Sequence, residues 1–202
     1  VEVSAALRSR RMTRSFDAQA LPEGEVASLL EAALLAPTAG NCRGIGFVSL
    51  VGVDEVARYF DAATDAAWRA VSSRYEGLSR AAAVGVVVAD PGTYVARYAE
   101  ADKRASGLGD ATAAWPVPYW FGDAGAAALA ALLLAEERGW ASCFLGAFRH
   151  HDELRAALLI PEELSIYGAV LLGHPDGADH RSASIDRPAP ARHSLVRRGA
   201  WG

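Results

Sequence analysis

The stretch "AAAVGVVVA" (Ala81 to Ala89) is continuously apolar and rich in β-branched residues. A strand exposed on one face alternates polar with apolar residues, so an unbroken run predicts a strand covered on both faces. Working outward, "GFVSLVGV" (Gly46 to Val53) reads as a neighbouring strand. "DEVARYFDAATDAAWRAV" (Asp54 to Val71) reads as an amphipathic helix beginning at an Asp cap. Upstream, Pro22 sits at a helix start, and Val26, Leu29, Leu30, Ala33 and Leu34 mark one helical face that Pro37 ends. Downstream, a short helix is predicted around Thr93 to Ala105. A loop rich in glycine, proline and aromatics follows. The helix from Gly122 to Gly139 has almost no polar side before Glu136 and is expected to be buried nearly all round. "WASCFLGAF" (strand), "DELRAALLI" (helix) and "IYGAVLLGH" (strand) complete the pattern. Strands alternating with helices predict a layered α/β or α+β domain.

The 202 residues suffice for one well-cored domain, and the net charge of −4 argues against a nucleic-acid partner. Nineteen of the twenty basic residues are arginine, so an isolated arginine carries little information. The longest apolar run, Ala124 to Ala135, is too short to span a bilayer, and "VEVSAALRSRRMTRSF" carries charges where a signal peptide has its apolar core. A cytoplasmic protein without a membrane segment is expected. Cys42 and Cys143 have neither metal-like spacing nor a disulfide context. Residues 180–202, with five arginines and no clear period, are expected to form an extended arm on the single domain 1–202.

The familiar chemical motifs are missing. The sequence contains no G-x-x-x-x-G-K-S/T loop and no G-x-S-x-G elbow, and "GLGDAT" near Gly107 is a fragment of a dinucleotide fingerprint without a preceding strand. The adjacent His150 and His151 lack partners at ligand spacing and read as a solvated turn, so no metal is expected. With neither a protein nucleophile nor a metal in view, demanding chemistry falls to an organic cofactor. "RSRRMTRSF" packs Arg8, Arg10, Arg11 and Arg14 together, which reads either as a solvated tail or as a phosphate clamp.

Four blocks in order, "RRMTRSF", "LLAPTAGN", "FGDAGAAALAALLLAEERGWASCFLGAF" and "GAVLLGHP", resemble the FMN-dependent nitroreductase superfamily from about Ala6 to Pro175. The resemblance implies an α+β fold, with a central, mostly antiparallel sheet flanked by helices. It also implies an intertwined homodimer with one FMN at each subunit interface. By the same resemblance Arg10, Arg11 and Met12 match the segment that grips the ribityl phosphate, and Arg14 the basic position beside the flavin N1–C2=O edge. Pro37, Thr38, Ala39 and Asn41 match a loop that reaches the partner's flavin. Gly146 and Ala147 match the turn whose backbone faces the flavin near N5, and Arg187 is the candidate for a second phosphate arginine.

Arg43 stands where the family often has glutamine, and reads equally as a surface residue or a substrate contact. Trp115, Tyr119, Trp120 and Phe121 read as core packing or as a substrate-binding lid. The implied function is hydride transfer from NAD(P)H through FMN to a small aromatic acceptor, nitroaromatic or quinone-like. No side chain need act as catalyst. The alternatives are a specialised flavin oxidase or dehydrogenase, and a flavin-sequestering protein.

Overall fold

The computed structural model describes residues 2–179 and 186–201. Four strands, β1 (Ile45–Val51), β2 (Ala83–Ala89), β3 (Ala141–Gly146) and β4 (Ser165–Gly173), form one sheet in the order β1-β2-β4-β3. Every neighbouring pair is antiparallel. All seven residues of β2 are buried, as its unbroken apolar run predicts. The run records coverage of both faces and says nothing of strand direction.

Helices cover both faces. On one side α2 (Glu23–Ala33) and α7 (Tyr119–Glu137) bury Val26, Leu29, Leu30, Ala124, Ala131 and Leu132 against Val87, Val170 and Leu172 of the sheet. The alanines of α7 let its backbone approach the strands closely. On the other side α3 (Val53–Ala63) and α8 (His151–Leu158) bury Val56, Tyr59, Phe60 and Leu154 against Val84, Val86 and Leu171. The remaining helices are α1 (Val3–Ser9), α4 (Ala66–Val71), α5 (Tyr75–Ser79) and α6 (Pro91–Tyr98).

Three expectations change. The single helix expected over Asp54 to Val71 is two, because Thr64 is extended and Asp65 accepts a bond of 2.7 Å from the Trp68 amide, starting α4 afresh. Helix α7 starts at Tyr119 instead of Gly122, so the aromatics Tyr119 to Phe121 form its first turn. It is also less enclosed than expected, with Leu129 42% exposed. Part of the predicted arm, 180–185 and residue 202, lies outside the described residues; 187–190 are exposed.

Residues 10–17 run beside the sheet edge and fix Arg14. The Thr13 amide donates to the Ser142 carbonyl at 2.9 Å, Phe16 N–H to the Gly77 carbonyl at 3.1 Å, and Asp17 N–H to His174 at 2.9 Å. Gly77 is required there, since a Cβ would lie 2.6 Å from the Arg14 carbonyl oxygen. Ser15 Oγ donates to Asp176 Oδ2 at 2.6 Å, and Arg80 bridges that carboxylate (2.8 Å) to the Phe16 carbonyl (2.8 Å).

The Ser15 hydroxyl, the Ala178 amide and Arg80 together hold the Asp176 carboxyl below its usual range. A depressed carboxylate stabilises the fold above its unfolded value and loses that contribution as pH falls through the folded one. The stability gap between the parent and Asp176→Asn is therefore expected to narrow as pH drops below about 4, read by denaturant titrations across pH. A gap independent of pH would contradict this anchor.

Candidate functional site

A cleft of about 780 Å³ opens at the C-terminal end of β3. Its walls come from four places: Leu145, Gly146 and Ala147 at the strand end, Phe148 to His150 in the following turn, Tyr59, Phe60, Ala63, Thr64 and Asp65 at and just past the end of α3, and Trp68 from α4. Arg14 and Arg74 also line it. The volume is that of a small-molecule or cofactor site, with apolar and aromatic walls interrupted by charged side chains, chiefly arginines.

The turn after β3 is held in an unusual shape. His150 is left-handed (φ 59°), its Nε2 3.6 Å from Asp65 Oδ2 and its Nδ1 3.7 Å from Glu153. The His151 ring meets the Ala147 carbonyl at 3.0 Å. These contacts explain the two histidines as a structural turn. Among the described residues no group of three or more His, Cys, Asp or Glu side chains is placed to hold a metal ion. At Gly146 a Cβ would meet the Phe148 ring at 2.5 Å, so glycine lets that ring pack directly over the strand end. Arg14 Nη1 donates to the Met12 carbonyl at 2.9 Å, which orients its guanidinium at the cleft. Burial pushes the thiol of Cys143, within this strand, up to about 11, with Arg14 pulling it partly back, so it is protonated at neutral pH.

The predicted residues therefore divide. Arg14, Gly146 and Ala147 share this cleft. Arg10 is half-buried and Arg11 exposed, and neither lines it; Arg187 is exposed and lines neither described cavity. Met12 turns inward, packing against both cores, and its Sδ accepts the Phe144 amide at 3.3 Å.

The loop Pro37 to Arg43 lies elsewhere, beside a smaller cavity of about 180 Å³ that Thr38, Arg43, Ile45 and Asp123 line. Three of its residues are left-handed, Gly40 (φ 64°), Asn41 (φ 55°) and Arg43 (φ 57°), two of them without glycine's freedom. Such a shape persists only when neighbours determine it. Asp123 Oδ2 accepts the Ala39 amide (2.8 Å) and the hydroxyl of the wholly buried Tyr94 (2.7 Å). Arg97 Nε donates to the Gly40 carbonyl at 3.1 Å and is itself locked in a two-pronged pair with Asp102 (2.7 and 2.8 Å). That pair holds the Asp102 carboxyl down at about 2. Thr38 Oγ1 accepts the Arg43 amide at 3.0 Å. The threonine thus shapes the loop, and its carbonyl accepts the Asn41 backbone N–H at 2.8 Å, whereas the exposed Asn41 side chain makes no hydrogen bond among the described residues.

The aromatic segment also divides. Trp115 and Trp120 are 7% and 6% exposed, packed with Tyr94, and the Trp115 indole donates to the Leu108 carbonyl at 2.9 Å. Trp120, expected as a substrate contact, is packed in the core and lines neither described cavity. Tyr119 and Phe121 remain exposed, Phe121 stacked on Tyr167 with centroids 6.2 Å apart. Sequence reasoning missed Trp68, Arg74, Arg149 and His150, which reach the cleft from separate elements without a local motif. It also missed the brace Tyr94–Asp123–Arg97. Asp123 had a visible signal: it is the only charged residue between Trp115 and Ala135.

The nitroreductase family model matches residues 7–174, and the chain belongs to that family. A provisionally named NADH dehydrogenase/NAD(P)H nitroreductase of Archaeoglobus fulgidus is 26% identical over 196 residues, 96% of this chain and 95% of that protein. Among solved structures, an FMN-dependent nitroreductase of Clostridium difficile matches with a TM-score of 0.65 at 19% identity, over 96% of this chain and 98% of that one. CLA-ER, an enone reductase of gut-bacterial fatty acid saturation, matches with a TM-score of 0.75 at 14% identity, over 98% of both chains. The likeness to the two structures is one of fold. No helix among the described residues is long and apolar enough to cross a membrane.

Proposed function

We propose that the chain is an FMN-dependent oxidoreductase that passes hydride from NAD(P)H to nitroaromatic or quinone-like acceptors. The observation that carries this reading is the convergence of Arg14, from the N-terminal segment, with Gly146 and Ala147 at the end of β3 in one aromatic-walled cleft. The names of the Archaeoglobus and Clostridium relatives support it.

The residues present fit the group. The cleft has room for a flat ring, Gly146 and Ala147 line it at the strand end, and Arg14 supplies a cation. When bound, FMN supplies a ring that takes hydride from the nicotinamide and yields it to the acceptor. Arg14 is assigned to stabilise negative charge at the ring edge, a preorganised electrostatic role. Arg10 and Arg11, a few residues away along the same segment, are assigned to the phosphate, with Arg187 as the second phosphate arginine. The apolar and aromatic walls are assigned to hold two flat molecules in contact, which is the main requirement of such a transfer. The loop Pro37 to Asn41 is assigned to the partner's site. The burial of Trp115 and Trp120 favours turnover over sequestration, since those rings are fixed in the core instead of closing over the cleft.

Two measurements test the reading. The purified protein is expected to be yellow, to release FMN on heating, and to bleach anaerobically with NADH or NADPH; a colourless protein that takes up no added FMN would contradict it. Sedimentation is expected to show a homodimer, because Val3, Leu7, Leu35 and Leu129 leave α1, the end of α2 and α7 with exposed apolar side chains. A monomer that retains FMN would remove the shared site.

A further inference from the structure

The cleft carries more positive charge than the rest of the molecule explains. The chain has a net charge of −4, yet Arg14, Arg74 and Arg149 all line this one cavity, against a single carboxylate, Asp65. That carboxylate already caps α4 through the Trp68 amide at 2.7 Å and faces His150. Several arginines elsewhere are engaged: Arg69 with Asp61, Arg80 with Glu76 and Asp176, Arg97 with Asp102, and Arg138 and Arg155 with backbone carbonyls. The guanidinium groups of Arg74 and Arg149 make no hydrogen bond or ion pair among the described residues. Unpaired cations beside an aromatic wall focus the local field on an incoming anion. A guanidinium fork matches a carboxylate in geometry as well as charge.

We propose that the cleft selects flat aromatic acceptors bearing a negative charge, the ring lying along the aromatic wall and the carboxylate or sulfonate held by Arg149 and Arg74. The inference rests on the flavin-dependent reading above and names its acceptor class. With a nitro acceptor the overall step is ArNO2 + NAD(P)H + H⁺ → ArNO + NAD(P)⁺ + H2O. The nicotinamide is oxidised, one N–O bond breaks, and its oxygen leaves as water.

The test compares 4-nitrobenzoate with its neutral near-isostere 4-nitrobenzamide. The flavin-loaded parent, Arg149→Gln, Arg149→Lys and Arg74→Gln are assayed with NADH and with NADPH. The parent is expected to prefer the carboxylate through KM, less so at high salt. Arg149→Gln is expected to cut that preference about tenfold, and Arg149→Lys to keep it within about threefold of the parent. Equal loss for both compounds, or no loss, overturns the proposal. A variant that changes KM for NADPH but not for NADH, with the acceptor preference intact, assigns the arginines to the nicotinamide's 2′-phosphate and also overturns it. Equilibrium dialysis of the two nitro compounds against each protein reads the same preference without turnover. A protein that binds 4-nitrobenzoate over the amide but holds no flavin therefore contradicts the redox reading and not this one.

Discussion

Asp123→Ala is expected to lose about 2–4 kcal/mol of stability, because two donors lose their acceptor together. The Tyr94 hydroxyl, wholly buried, and the Ala39 amide both end on Asp123 Oδ2. Burial first, and the Asp123 bond second, raise the Tyr94 phenol above its ordinary range, so it remains a donor at any working pH. The same substitution frees a loop with three left-handed residues, which then relaxes. Activity is expected to fall at least about tenfold, since a misplacement of roughly 1 Å costs more than that at a reacting site. A double-mutant cycle with Tyr94→Phe reads the pair directly in denaturant titrations: the double variant should be less destabilised than the sum of the singles. An Asp123→Ala protein within about 0.5 kcal/mol of the parent would show that the brace is incidental.

Phe16→Ala is expected to have the largest effect on folding, about 3–5 kcal/mol. The ring is wholly buried, and its residue bridges to Pro175 beside the end of β4. Removing it leaves a cavity where the N-terminal segment is pinned, so residues 10–16 should detach before the rest of the domain unfolds. Trypsin gives a specific readout, because Arg10, Arg11 and Arg14 are its cleavage sites. Cleavage there should accelerate well before the core is cut. Uniform digestion would place the defect elsewhere.

The sheet was legible because β2 declares coverage on both faces through unbroken apolarity, and α2, α3 and α8 showed a helical period, whereas the short α1 and α5 carried no such signal. Strand direction came only through the family resemblance, which implied the mostly antiparallel sheet observed, since burial of Val84 to Val88 is the same beside a parallel or an antiparallel neighbour. The break at Thr64 was hidden because Asp65 reads equally as a helix residue and as a cap. Among the site residues, "RRMTRSF" and "FLGAF" pointed to one cleft only through family resemblance. Nothing local ties Arg14 to Gly146, which the edge contact of Thr13 with Ser142 brings together. Arg74, Arg149 and Trp68 were illegible for a similar reason: in an arginine-rich chain a lone arginine gains meaning only when the fold lines a cavity with it.

The central claim is that the cleft beside Arg14 is the flavin site, and a redox titration of Arg14→Met beside Arg10→Met and the parent tests it most directly. A unit charge about 4 Å from the ring edge contributes at most roughly 4 kcal/mol at an effective dielectric near 20. For a two-electron couple, where about 30 mV corresponds to about 1.4 kcal/mol, the ceiling is on the order of 90 mV, and solvent in the open cleft lowers it to a few tens of millivolts. Arg14→Met is expected to lower the midpoint potential by that amount while FMN stays bound. Arg10→Met is expected to weaken FMN retention with little change in potential. An Arg14→Met protein with an unchanged potential, or one that simply loses its flavin, would contradict the assignment of this cleft.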